Sequence, residues 1–331
     1  MSDSVATPRG KNIIICYDGT GNEYSENDTN VVKLFQAIVR DRDQIALYDP
    51  GVGTVDALGR TIGKKLGRLL GLAFGWGLTK NIEDGYSYLM NHYEPGDKLF
   101  LFGFSRGAFT ARALAGMLRK VRLLERGSDE LVPDASRIYN QTGNEDIAEG
   151  FGETFGRECK PYLVGVWDTV ASLGHIYGRR FFDQTLNPDT TFGYHAMAID
   201  EQRKKFPVSR WDESEQKEFQ TIEQVWFAGV HSDVGGFYPE RGLSDISLEW
   251  MAEQAEAAGL RLREGWREGL ANNATAENAL HDSRVGFWKL WPAVHRPIPE
   301  GAKIHNSVVE RMTAPGLNYY PRNLPRVYKT V

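Results

Sequence analysis

The apolar positions of this chain fall into short continuous runs separated by amphipathic stretches. Residues 11–17, Lys-Asn-Ile-Ile-Ile-Cys-Tyr, form an apolar and β-branched run that reads as a strand covered on both faces, ending at the loop-like Asp18-Gly19-Thr20-Gly21-Asn22. Asn30 is placed to cap a helix in which Val31, Leu34, Phe35, Ile38 and Val39 recur at helical spacing. Residues 44–48 predict a short strand before the Asp49-Pro50-Gly51 turn. A helix over 81–93, closed by Glu94-Pro95-Gly96-Asp97, precedes a buried strand over 98–104 and a helix over 109–119. Two more apolar strands are expected at 162–167 and 224–230, and residues 243–260 read as a helix. Residues 212–219 are charged and read as a solvated helix or loop, and Pro292 to Pro299 as a proline-containing connection.

Strands alternating with helices predict an α/β fold with a mostly parallel central sheet, whose functional groups gather where the carboxyl ends of the strands open into loops. No linker divides the chain, so one domain over 1–331 is expected, with a helical C-terminal part from 243. Residues 56–80 stand out as an insertion. From 60 to 80 they carry Arg60, Lys64, Lys65, Arg68 and Lys80 with no acidic residue, which suits a lid or a contact with an anionic membrane surface. An ordinary surface helix with glycines for close packing explains the same pattern equally well.

Composition narrows the classes. A hydrophobic share of 41% and a charged share of 25% over 331 residues suffice for a folded core. A net charge of -5 gives no general attraction to polyanions and argues against a dedicated nucleic-acid binder. The two cysteines, Cys16 and Cys159, are too few for a disulfide framework or a zinc cluster and read as reduced thiols. Residues 1–10 lack the apolar stretch of a secretory signal, and no run reaches the roughly 18 apolar residues of a membrane span. Cytoplasmic residence is the default expectation, with export by a route that needs no cleaved signal left open. Neither a cofactor nor an oligomeric state is indicated.

Gly103-Phe104-Ser105-Arg106-Gly107 matches Gly-x-Ser-x-Gly between an apolar strand and a helix, the context of a nucleophile elbow and of an α/β-hydrolase-like fold. Glycines flank such a serine because strand and helix approach too closely for Cβ atoms, and the helix N-terminus favours developing negative charge. The backbone N–H of Arg106 is one candidate oxyanion donor, and Thr20, in the loop after the first strand, is the other. Asp18-Gly19-Thr20 also invites a phosphatase-type reading with Asp18 as nucleophile. That chemistry wants a second aspartate two residues away, where this chain has Cys16 and Thr20.

A serine hydroxyl needs an imidazole to deprotonate it and a carboxylate to orient the imidazole. The chain order Ser, Asp or Glu, His of α/β-hydrolases removes His92 from the seven histidines. Asp168 and His231, at the ends of the next two apolar strands, lead as acid and base. Asp233 with His281 or His305 is the rival assignment. His175, His195 and His295 read as structural or surface residues. Carboxylates near His231 and Asp233 hint at a metal site, but no His-x-x-x-His pair or cysteine cluster supports one.

At these residues the chain resembles the α/β-hydrolase family catalogued as domain of unknown function 2235, which includes phospholipase effectors of bacterial type VI secretion. The likeness rests on Tyr17-Asp18-Gly19-Thr20-Gly21-Asn22, Thr29-Asn30-Val31, residues 48–54, Gly103 to Ala108, Gly165 to Val170, and Gly229 to Gly236. The resemblance implies a Ser-Asp-His triad, mapping onto Ser105, Asp168 and His231. Asp168-Thr169-Val170 also looks like the acid-bearing segment of fungal class 3 lipases, and Tyr17 to Thr20 like their oxyanion strand. The expected activity is hydrolysis of a small-molecule or lipid ester through an acyl-enzyme. An amide or thioester hydrolase, or a non-catalytic binding module on a hydrolase fold, is the alternative.

Overall fold

In a computed structural model the protein is described over residues 10–19, 28–51, 64–170, 185–271 and 276–331. Its elements, in chain order, are β1 (Asn12–Tyr17), α1 (Asn30–Ala37), β2 (Gln44–Asp49), α2 (Lys64–His92), β3 (Lys98–Phe104), α3 (Arg106–Val121), β4 (Leu123–Leu124), α4 (Val132–Tyr139), α5 (Glu145–Phe155), β5 (Gly156–Arg157) and β6 (Pro161–Trp167). They continue with β7 (Phe192–Ala198), β8 (Thr221–Phe227), α6 (His231–Gly235), α7 (Gly242–Ala257), α8 (Glu268–Ala271), β9 (Ala302–Ile304), α9 (Asn306–Thr313) and β10 (Tyr328–Thr330).

Eight of the described strands form one sheet in the order β10-β9-β8-β7-β6-β3-β1-β2. Every neighbouring pair in it is parallel. Strand order reverses at β1, with β2 on one side and β3 on the other, the kind of switch point at whose carboxyl strand ends parallel α/β sheets bind ligands. Side-chain alternation sorts the core. Ile13, Ile15, Leu99, Leu101, Val164 and Val166 pack on one face with α2, α3, α4 and α5. Ile14, Cys16, Phe100, Phe102, Leu163 and Trp167 pack on the other with α1 and α7. Burial on both faces is why these strands read as unbroken apolar runs.

Several expectations shift. The cap of α1 is Thr29, whose Oγ1 accepts from the Val32 N–H; Asn30 is the first helical residue, and its buried amide donates to Val234 O, Ser244 O and Ser247 Oγ instead. The helix expected over 81–93 is the second half of α2, which begins at Lys64; the remainder of the 56–80 insertion, 56–63, lies outside the described residues. Strand β7 was not anticipated: Phe-Gly-Tyr-His-Ala-Met-Ala lacks β-branched residues, and only pairing between β6 and β8 makes it a strand. The C-terminal part is helical at α7 to α9 but also adds β9 and β10 to the sheet. Among the described residues no helix is long and apolar enough to cross a membrane. Cys16 and Cys159 are buried free thiols.

Candidate active site

Ser105 is the first residue past β3 and the N-cap of α3, with φ 57° and ψ −115°, a conformation non-glycine residues avoid. Neighbouring backbone holds it there. The Ser105 N–H donates to Trp167 O at 3.0 Å. A Cβ on Gly107 would lie 2.1 Å from Tyr17 O, and one on Gly103 would lie 2.4 Å from Gly107 O. The helix therefore starts against the ends of β1 and β3 with no room for larger residues.

Register sets the neighbours. Phe104 pairs with Trp167, so Ser105 and Asp168, each one residue past its strand, lie side by side. His231 opens α6 four residues beyond β8. Asp233 accepts the Val230 N–H at 3.0 Å and steadies that turn, while Gly235 lets α6 sit on the Phe104 ring, where a Cβ would approach to 1.9 Å. The His231 ring stands 4.6 Å from that of Phe104 and 5.3 Å from that of Phe206.

These elements bring three side chains into one hydrogen-bonded line. His231 Nε2 lies 2.8 Å from Ser105 Oγ, and His231 Nδ1 lies 2.5 Å from Asp168 Oδ2. Asp168 is fully buried, His231 is 5% exposed and Ser105 is 9% exposed. Burial alone would push the Asp168 carboxyl up; the Arg296 charge and the His231 hydrogen bond outweigh it and hold the group well below the usual carboxylate range. Burial lowers His231 below the ordinary histidine value, against the opposing pull of Asp168.

Arg296 was not singled out by sequence reasoning. It lies in the Pro292 to Pro299 connection and is 4% exposed. Its guanidinium grips Asp168 with both forks, Nη1 to Oδ1 at 2.6 Å and Nη2 to Oδ2 at 2.9 Å. Glu201, three residues past β7, is a second omission: its Oε2 accepts the His231 N–H at 3.3 Å, and its carboxylate is paired with Arg203 at 2.8 Å. A single arginine in a coil and a Glu-x-Arg after an unrecognised strand carry no pattern that spacing could expose.

The rival residues fall elsewhere. Asp233 does pair with His281, Oδ1 to Nδ1 at 2.6 Å, while His281 Nε2 faces Glu240 at 3.2 Å and its ring stacks on Tyr238 at 3.8 Å. His305 caps α9 through Ser307 and stacks on Phe227, and burial pushes it down to about 4. His195 is fully buried and pushed down to about 3, accepting the Thr169 N–H. His92 and His295 are exposed, and His175 lies outside the described residues. Asp18 accepts from the Gly19 N–H, Thr29 Oγ1 and Tyr48 Oη, a bracing role for the loop after β1 that suits a phosphatase-type nucleophile poorly. Of the two oxyanion candidates, Arg106 is the first residue of α3, and burial pushes its side chain down to about 10; Thr20 lies outside the described residues. Among the described residues no group of His, Cys, Asp and Glu is arranged to hold a metal. A cavity of about 880 Å³ is lined by Arg296, Trp211, Gln224 and Trp226 but not by Ser105 or His231, so cavity size is a poor guide to the chemistry here.

A parallel sheet with a strained serine at its switch point, and histidine and aspartate delivered from later strand ends, is the α/β-hydrolase architecture. Residues 11–254 match the family model described as type VI secretion (T6SS), phospholipase effector Tle1-like, catalytic domain, and the chain belongs to that family. An uncharacterized Saccharomyces cerevisiae protein, YEL023C, is 36% identical over 227 residues, which cover 62% of this chain and 33% of that protein. The chain thus spans about a third of the length of this curated relative. A crystal structure of an uncharacterized Pseudomonas aeruginosa protein aligns with 80% of this chain and 49% of its own, at 21% identity and a TM-score of 0.47.

Proposed function

We propose that this chain is a serine hydrolase of carboxylic esters, with lipids as the substrate class and Ser105, His231 and Asp168 as its triad. The observation that carries the reading is the unbroken line from Ser105 Oγ through His231 to Asp168, at 2.8 and 2.5 Å. Membership of a family of phospholipase effector catalytic domains supports the lipid.

In the proposed cycle, His231 Nε2 takes the Ser105 proton as Oγ bonds to the ester carbonyl carbon, whose π electrons move onto oxygen. Backbone N–H groups of Arg106 and Thr20 stabilise that oxyanion. Collapse breaks the bond to the alcohol, which leaves with the proton from His231. Water then attacks the acyl-enzyme by the same route, releasing the acid and restoring Ser105. Asp168 remains ionised throughout, holding His231 in the tautomer that leaves Nε2 free to accept.

A fluorophosphonate probe is expected to label Ser105, and Ser105→Ala to abolish both labelling and turnover of acyl esters. Unchanged esterase activity in that variant would remove the proposal.

A further inference from the structure

The Asp168 carboxylate is saturated. Oδ1 accepts the Ala198 N–H at 2.9 Å and Arg296 Nη1 at 2.6 Å, and Oδ2 accepts His231 Nδ1 at 2.5 Å and Arg296 Nη2 at 2.9 Å. Four donors fill the roughly four lone-pair sites of a carboxylate, so the group cannot rotate without losing a charged hydrogen bond. Arg296 is anchored in turn: Nη1 donates to Ala198 O at 2.9 Å and Nη2 to Phe206 O at 2.8 Å. Asp168 itself has φ 41°, an uncommon conformation that such partners help to hold.

Charge counting gives the arginine a second effect. With Arg296, the resting site of Asp168 carboxylate, neutral His231 and Ser105 hydroxyl carries no net charge. Formation of imidazolium and oxyanion keeps it neutral. Without Arg296 a lone carboxylate would be buried at 0% exposure beside His231, and it would hold the imidazolium more tightly.

We propose that Arg296 is a positioning residue for the reaction: its fork fixes and neutralises the Asp168 carboxylate that aims His231 at Ser105. The proposal rests on the hydrolase reading above. Arg296 lies beyond the 11–254 family match, so the later part of the chain completes the site. Among the described residues, the charged groups near His231 also include Glu201 and Arg203 after β7, which pair with each other, and Asp233 on α6, which pairs with His281.

The test uses the full chain and a short-chain p-nitrophenyl ester. Arg296→Ala is expected to lower kcat by about 100-fold with KM changed less than about twofold, the signature of lost alignment rather than lost binding. Because Arg296 lines the 880 Å³ cavity, millimolar guanidinium has a route to the vacated space and is expected to restore about tenfold. The acid limb of the kcat/KM profile should move to higher pH, since His231 loses an opposing positive charge. Combined with Asp168→Asn, the losses should be far less than multiplicative. A purely structural arginine would show neither rescue nor a shifted limb, and its loss would multiply with that of Asp168→Asn; that result overturns the proposal. Should Arg296→Ala fail to fold, Arg296→Lys is expected to fold with reduced kcat and a smaller shift of the limb, and wild-type kinetics in it would overturn the idea. Loss of activity in Ser105→Ala with no effect at Arg296 sinks this inference alone, whereas an active Ser105→Ala sinks the hydrolase reading.

Discussion

His231 lies where two influences oppose each other: burial favours the neutral ring, and Asp168 favours the charged one. Burial is the larger, so the ring stays neutral to lower pH than the ordinary value of 6.5. Under the proposed mechanism only the neutral ring can take the Ser105 proton. Activity is therefore expected to persist below pH 6.5 and to disappear as pH falls through the lowered His231 value, read as the acid limb of a kcat/KM profile. An acid limb centred above 6.5 would contradict this balance. Asp168 sets no limit in that range, since Arg296 and His231 keep it ionised to far lower pH. At this scale the serine was legible, because Gly-x-Ser-x-Gly advertises its own backbone geometry. Arg296 was not, because nothing in the local sequence of a coil reveals which carboxylate it reaches.

The elbow depends on how closely three elements meet. With a Cβ only 2.1 Å from Tyr17 O, Gly107→Ala is expected to force α3 away from β1 and destabilise the fold by about 1–3 kcal/mol, seen as a lower urea midpoint, with loss of activity. A variant as stable and active as the parent would show that α3 can shift freely. The basic stretch of the sequence over 60–80 is the other feature with a consequence. Lys80 is paired with Asp84 at 2.7 Å, and the sequence of this stretch also carries Arg60, Lys64, Lys65 and Arg68 with no acidic residue between 60 and 80. The protein is expected to co-sediment with anionic vesicles at low salt and to be released as ionic strength approaches about 0.15 M and beyond. Glutamine at 64, 65 and 68 should abolish the binding. No binding by the parent would leave α2 as scaffold. Strands β1, β3 and β6 were legible because burial on both faces demands unbroken apolar runs. Strand β7, with Gly193 and His195 in its middle, needed both neighbours to define it.

For the molecule as a whole, buried neutral histidines tie stability to pH. Burial pushes His195 down to about 3 and His305 down to about 4, while both rise to about 6.5 when unfolded. Their contribution is complete above 6.5 and is lost as pH falls from there toward the folded values, because the unfolded chain binds the protons first. Urea midpoints are expected to drop between about pH 7 and about pH 4, with a shallower drop in His195→Gln. A flat profile would mean these rings are hydrated. The sequence by itself determined the parallel α/β architecture, the elbow at Ser105 and the pool of acids and bases at strand ends, since these follow from local periodicity, chain order and backbone sterics. Only the tertiary structure decided the partners: that His231, 126 residues from Ser105, meets it, that Asp233 turns to His281, and that Arg296, 128 residues from Asp168, closes on the acid. Those choices depend on strand order, register and the path of coil segments, which many distant contacts fix together and no short stretch of residues encodes.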